Sequence, residues 1–182
     1  MTTRAIFLDR DGVLNHPVIR GGKSYPPARV EELKIYDGLR DQLQRLKNRG
    51  FALIVVTNQP DVARGTTPKS TVEGINAAIA REIPAIDRFV VCYHDNADGC
   101  DCRKPKPGML LAGAVEFDVD LPRSYMIGDR KGDVDAGRAA GSRTIFVDRG
   151  YSEAAPTNYD YKVSSTSEAL QIIESESDHE KS

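Results

Sequence analysis

Phe7-Leu8-Asp9-Arg10-Asp11-Gly12-Val13-Leu14-Asn15 is the stretch on which the fold turns, because the apolar run Ala5–Leu8 stops abruptly at two carboxylates and a glycine. On an extended backbone positions i and i+2 face the same side, so Asp9 and Asp11 project together from the end of a strand. Two anions so close repel each other, which raises one pKa or recruits a cation, and the hard, oxygen-seeking Mg²⁺ answers that repulsion. The plainer alternative is that Asp11-Gly12 is only a turn, a common use of the dipeptide.

The same pattern recurs outward along the chain. Phe51–Val56, Phe89–Tyr93, Tyr125–Ile127 and Thr144–Val147 are further short apolar runs that read as strands. Between them Gly38–Arg49, Pro68–Glu82, Gly108–Phe117 and Gly132–Ala140 read as helices, with Pro68 in a first turn and Gly50 and Gly141 as stops. The alternation predicts an α/β fold, a Rossmann-like three-layer sandwich with a mostly parallel sheet and right-handed crossovers. Ligands in such sheets bind beyond the carboxyl ends of the strands, and each strand end here carries chemistry: Asp9 and Asp11, then Thr57 and Asn58, then Cys92 and His94, then Asp129. Residues 15–36 form a long non-periodic insertion, 150–165 look irregular, and Ser167–Glu174 is a possible last helix. A single domain over 1–173 with a flexible polar tail at 174–182 is expected, without a large cap domain.

Composition narrows the function classes. The 182 residues are 40% hydrophobic and 29% charged, close to an ordinary globular domain. Twenty-five Lys and Arg against 27 Asp and Glu leave a net charge of −2, so no basic excess advertises nucleic acid. Met-Thr-Thr-Arg leads into an apolar stretch too brief for a signal segment or a membrane span, which points to a cytoplasmic protein with no membrane partner. All three cysteines fall between positions 92 and 102, which suits a metal in a reducing compartment better than disulfides. Cys92-x-His94 followed by Cys100-x-Cys102 offers four ligands and no open position, the mark of a structural Zn²⁺ rather than a catalytic one. Such a zinc-binding loop insert fixes the chain entering Arg103 and Lys104. His16 has no partner at metal spacing and His179 lies in the tail, so neither carries a role.

The whole string, from Asp9-x-Asp11-Gly12 through Thr57 and Lys104 to Gly128-Asp129, resembles the haloacid-dehalogenase-like phosphatases over roughly residues 4–150. The resemblance implies that Asp9 is the nucleophile, forming an aspartyl-phosphate, and that Asp11 is the acid and then the base. It implies Mg²⁺ on Asp9, the Asp11 carbonyl and Asp129, with Thr57 and Lys104 on the phosphoryl oxygens and Asp133 orienting Lys104 or the magnesium waters. The zinc insert before Arg103-Lys104-Pro105 resembles two related groups, the D-glycero-D-manno-heptose 1,7-bisphosphate phosphatases and the histidinol-phosphate phosphatases. Thr57-Asn58-Gln59, Ala63-Arg64-Gly65 and Cys102 to Leu111 look more like the heptose group, whereas the short spacing between the zinc pairs looks more like the histidinol group. The longer match ranks first the hydrolysis of a 7-phosphate from a small phosphorylated sugar, within nucleotide-activated heptose and lipopolysaccharide synthesis, by a monomer. A catalytically silent zinc-stabilised binding module is the alternative from another class. Asn58, Gln59, Arg103 and Arg130 are the candidate substrate contacts, Arg20 and Lys23 are further ones in the insertion, and Arg64 holds loop backbone. Arg130 stands where the heptose group has Lys, and Pro60-Asp61 where it has Ser-Gly.

Overall fold

The computed structural model describes residues 2–179. The five apolar runs become strands β1 (Arg4–Leu8), β4 (Phe51–Asn58), β5 (Arg88–Cys92), β6 (Tyr125–Gly128) and β7 (Arg143–Val147), and with β8 (Tyr161–Val163) they form one six-stranded sheet in the order β5-β4-β1-β6-β7-β8. All neighbours in it are parallel. Five helices complete the layers: α1 (Leu39–Asn48), α2 (Lys69–Glu82), α3 (Gly108–Phe117), α4 (Lys131–Ala140) and α5 (Thr166–His179). The chain builds outward from β1 through β4 to β5, then returns to lay β6 against the other side of β1. The resulting gap between the carboxyl ends of β1 and β6 is the place where such sheets bind ligands.

Strand β1 shows why both faces are covered. Ile6 and Leu8 point into one core with Leu43 and Leu46 of α1, Ile75 and Ile79 of α2, and Leu170 and Ile173 of α5. Ala5 and Phe7 point into the other, with Met109 and Leu110 of α3 and Ala136 of α4. Each of these larger aliphatic side chains contributes about 1.5–3 kcal/mol by leaving water, so a strand buried on both faces has no polar alternate positions.

Three expectations are corrected. The insertion contains a hairpin, β2 (Val18–Arg20) paired antiparallel with β3 (Lys23–Tyr25), turning on Gly21-Gly22. Both glycines have positive φ, +57° and +75°, as a tight hairpin turn requires. The irregular segment contains β8 at the sheet edge. The expected tail from Glu174 is helical as far as His179: Ala169, Leu170, Ile173 and Ser177 are buried at helical spacing. Arg49 Nη1 reaches the Glu174 carbonyl, Ser177 Oγ and Asp178 Oδ1 at 2.9, 2.9 and 2.6 Å, and Glu176 accepts from Tyr125, Tyr161 and Arg143. The rest of that tail, 180–182, lies outside the described residues. No helix among those residues is long and apolar enough to cross a membrane.

Candidate active site

Three carboxylates and one lysine meet in the gap between β1 and β6. Asp9 follows β1, Asp129 follows β6, Asp133 lies in the first turn of α4, and Lys104 arrives from the loop before α3; none is more than 8% exposed. Lys104 Nζ lies 2.7 Å from Asp9 Oδ1 and 2.6 Å from Asp133 Oδ1, and donates to the Val56 carbonyl at 2.8 Å. One oxygen each from Asp9, Asp129 and Asp133 fall within 4.8 Å of one another.

The electrostatics follow from three anions sharing one cation. Burial first, then Asp133, raises the Asp9 carboxyl to about 6 against the pull of Lys104. Asp129 is pushed well above its ordinary value by burial and by Asp9 and Asp133. Burial opposes the Lys104 charge, but Asp133 and Asp9 outweigh it and raise its pKa. Among the described residues the buried Asp129 Oδ1 has no hydrogen-bond partner. A cluster of hard oxygen donors, short of positive charge and with one lone oxygen, fits Mg²⁺.

Asp11 faces a different environment from Asp9. Burial acts to raise its pKa, but Arg10, Asn15 and Gln59 prevail and lower it. Four N–H donors serve it: Arg10 Nε at 3.2 Å, Arg10 Nη2 at 2.9 Å, Asn15 Nδ2 at 3.0 Å and Gln59 Nε2 at 2.9 Å. The mutual repulsion read from the spacing of the pair is therefore the least of the influences on Asp9. Its carboxylate neighbours are Asp129 and Asp133, and the Asp11 side chain is not in that group. Gly12 makes the convergence possible: a Cβ there would stand 1.8 Å from Asp129 Oδ2, and its φ of +91° suits glycine alone.

The candidate substrate contacts separate into two kinds. The Asn58 amide is occupied by the Lys104 backbone, donating to its carbonyl at 3.0 Å and accepting from its N–H at 3.1 Å. Gln59 is 2% exposed and its Nε2 also donates to Thr57 Oγ1 at 2.9 Å, so it serves Asp11 and Thr57. Asn58, Arg103 and Arg130 line the cleft above the carboxylates, about 450 Å³ in volume, with Lys23, Arg64 and Lys131. Arg130 Nη2 donates to the Ser24 carbonyl at 2.7 Å, which joins it to the β2–β3 hairpin. Arg64 forks onto Asp95 at 2.9 and 2.7 Å and onto Asp61 at 3.3 Å, so the carboxylate of Pro60-Asp61 has a cation beside it. Arg20 is exposed and stands over Tyr25, 5.9 Å from the ring centre.

The second cluster lies at the end of β5. Cys102 Sγ is 3.0 Å from Cys92 Sγ and 3.5 Å from Cys100 Sγ, Cys92 to Cys100 is 3.7 Å, and His94 Nδ1 is 3.3 Å from Cys102 and 3.7 Å from Cys92. Tetrahedral Zn²⁺ with Zn–S bonds of about 2.3 Å separates its sulfurs by about 3.8 Å, so this S₃N set fits with little adjustment. Burial and the two other thiols push Cys102 up to about 12, a crowding that a dication relieves.

Asp133, expected from the sequence to orient Lys104 or the magnesium waters, lies 2.6 Å from Lys104 Nζ and within the carboxylate group; sequence reasoning missed Tyr151, whose hydroxyl donates to Asp129 Oδ2 at 2.7 Å. It also missed Arg149, which donates to the Gly12 carbonyl at 2.8 Å. Tyr151 and Arg149 sit in an aperiodic segment and carry no signal in the sequence.

Residues 101–170 match the HAD-hydrolase-like family model. A D-glycero-beta-D-manno-heptose-1,7-bisphosphate 7-phosphatase from Pseudomonas putida is 36% identical over 154 residues, 82% of this chain and 85% of that one. The alpha-anomer enzyme of Campylobacter jejuni is also 36% identical, over 81% of this chain and 83% of its own. Among solved structures, a D,D-heptose 1,7-bisphosphate phosphatase from B. bronchiseptica complexed with magnesium and phosphate superposes with a TM-score of 0.76 at 27% identity, covering 95% of this chain and 99% of that one. Identity at this level over most of both chains, on a shared fold, makes this protein a member of the heptose-1,7-bisphosphate phosphatase family of HAD-like hydrolases, and thereby a phosphoric monoester hydrolase.

Proposed function

We propose that this chain removes the 7-phosphate of D-glycero-D-manno-heptose 1,7-bisphosphate, acting as a cytoplasmic monomer in nucleotide-activated heptose synthesis. The observation that carries the reading is Lys104 held between Asp9 and Asp133 at the floor of a cleft rimmed by cations. Such a cleft suits a small ligand with a second phosphate, which Arg103, Arg130 and Lys131 are placed to meet.

Asp9 is the nucleophile: its carboxylate forms a bond to phosphorus as the bond from phosphorus to the sugar oxygen breaks. Lys104 lies against Asp9 and keeps it anionic despite burial. Thr57 Oγ1 accepts from Gln59, which leaves its own O–H free to donate to a phosphoryl oxygen. Asp11 gives its proton to the departing sugar oxygen; to do so it must first leave Arg10 and acquire one, because its four N–H donors hold it as a carboxylate. In the second half Asp11 takes a proton from water as the water oxygen bonds to phosphorus and the Asp9–phosphorus bond breaks, and here its low pKa is the useful state. Asp9, Asp129 and the Asp11 carbonyl would hold Mg²⁺, which offsets charge between carboxylate and phosphate when bound. Cys92, His94, Cys100 and Cys102 would hold Zn²⁺, which fixes the loop that delivers Arg103 and Lys104.

The test is phosphate release by the purified protein with Mg²⁺ from the alpha and beta anomers of heptose 1,7-bisphosphate and from histidinol phosphate. The expected result is a kcat/KM at least about a hundredfold higher for a heptose substrate. Preference for histidinol phosphate overturns the substrate assignment, and no hydrolysis of any monoester overturns the catalytic one.

A further inference from the structure

The oxygen of Asp129 that contacts Tyr151 is not the oxygen that lacks a partner. Tyr151 Oη donates to Oδ2 at 2.7 Å, while Oδ1 is buried and receives no hydrogen bond among the described residues. Oδ2 also packs over the α-carbon of Gly12, where a Cβ would lie 1.8 Å from Oδ2 and 3.0 Å from Tyr151 Oη. Oδ2 is thus enclosed by a hydroxyl and a backbone, and the carboxylate cannot rotate without breaking the hydrogen bond.

From this we infer that Tyr151 is a positioning residue: its hydroxyl fixes the Asp129 carboxylate so that Oδ1 is presented to Mg²⁺. Tyr151 also joins that ligand to the wall of the cleft. Ser24 Oγ of the hairpin accepts from Arg130 Nη2 at 2.5 Å, and Ser152 Oγ, beside Tyr151, donates to the Gly22 carbonyl at 3.1 Å. The segment after β7 is therefore tied to the hairpin through Ser152 and to Asp129 through the Tyr151 hydroxyl. Groups that orient a metal ligand from behind commonly govern affinity as strongly as the ligands do.

The inference rests on Asp129 as a magnesium ligand, and the experiment separates the two. Mg²⁺ binding is measured by titration calorimetry on the whole protein without substrate, for wild type, Tyr151→Phe and Asp129→Asn, alongside thermal midpoints in EDTA. Tyr151→Phe keeps the ring and removes only the hydroxyl; the expected result is a Kd for Mg²⁺ weakened about tenfold or more, with an unchanged midpoint in EDTA. An unchanged Kd overturns the inference, as does a weakened Kd matched by a lowered midpoint in EDTA, which marks Tyr151 as merely structural. Wild-type affinity in Asp129→Asn refutes the metal assignment itself. Lost binding in Asp129→Asn with intact binding in Tyr151→Phe refutes the positioning role alone.

Discussion

The carboxylate centre and the cysteine loop each gather four polar groups at the same rim of the sheet, yet they are built in opposite ways. The first draws Asp9, Lys104, and the pair Asp129 and Asp133 from three distant segments and includes its own cation. The second draws Cys92, His94, Cys100 and Cys102 from one short loop and includes no cation. A centre assembled by the whole fold needs no metal to hold its members together, so its metal is free to serve chemistry and leave coordination open to substrate. The proposed zinc would have four protein ligands and no open position, so its contribution would be to the shape of the loop.

The contrast breaks at its strongest point if Asp9→Asn leaves turnover intact. A loss on the order of 10⁴-fold or more in kcat is expected, with an unchanged thermal midpoint in EDTA, measured by phosphate release and differential scanning fluorimetry. Asp11→Asn should lower kcat by about 10²–10⁴-fold with little change in Mg²⁺ affinity, since its side chain contacts Arg10, Asn15 and Gln59 rather than the carboxylate group. Lys104→Met should cost about 10²–10³-fold in kcat/KM through loss of the cation that keeps Asp9 anionic.

The loop should behave differently. Cys100→Ser should abolish zinc in elemental analysis and lower the thermal midpoint by roughly 10 °C, with activity falling only as Arg103 and Lys104 lose their placement. A Cys100→Ser protein that keeps both its zinc and its midpoint would erase the distinction. The smallest effect belongs to Arg64→Ala, which breaks exposed pairs with Asp95 and Asp61; kcat/KM should change less than about threefold.

The sequence made legible what depends on local pattern. Ala5–Leu8 and Phe51–Val56 read as buried strands because every position is apolar, and Cys92 to Cys102 read as a metal loop because its ligands are close in the chain. Features whose reason lies across the fold were missed. Tyr161-Lys162-Val163 is a strand because β7 offers it an edge, not because three residues specify one. Residues 174–179 look like solvated tail, yet Arg49 and Tyr125 make them helix by meeting Glu174 and Glu176 from other elements. Asn58 and Gln59 were expected as substrate contacts from the Thr57-Asn58-Gln59 resemblance, and the contacts they also make to the Lys104 backbone and to Asp11 lie across the fold, out of sight of the sequence. The Asp9/Asp11 pair shows the general case: the residues are two apart, and their surroundings drive their pKa values in opposite directions.

The central claim is that the Asp9 carboxylate becomes bonded to phosphorus during turnover. Its most direct measurement is a single-turnover reaction of heptose 1,7-bisphosphate labelled in the 7-phosphate, quenched in acid and mapped by mass spectrometry, using Asp11→Asn to slow breakdown of the intermediate. The account predicts phosphoryl label on the peptide carrying Asp9, absent when Asp9 is also changed to Asn. Release of the labelled phosphate with the peptide unlabelled at every time point contradicts it.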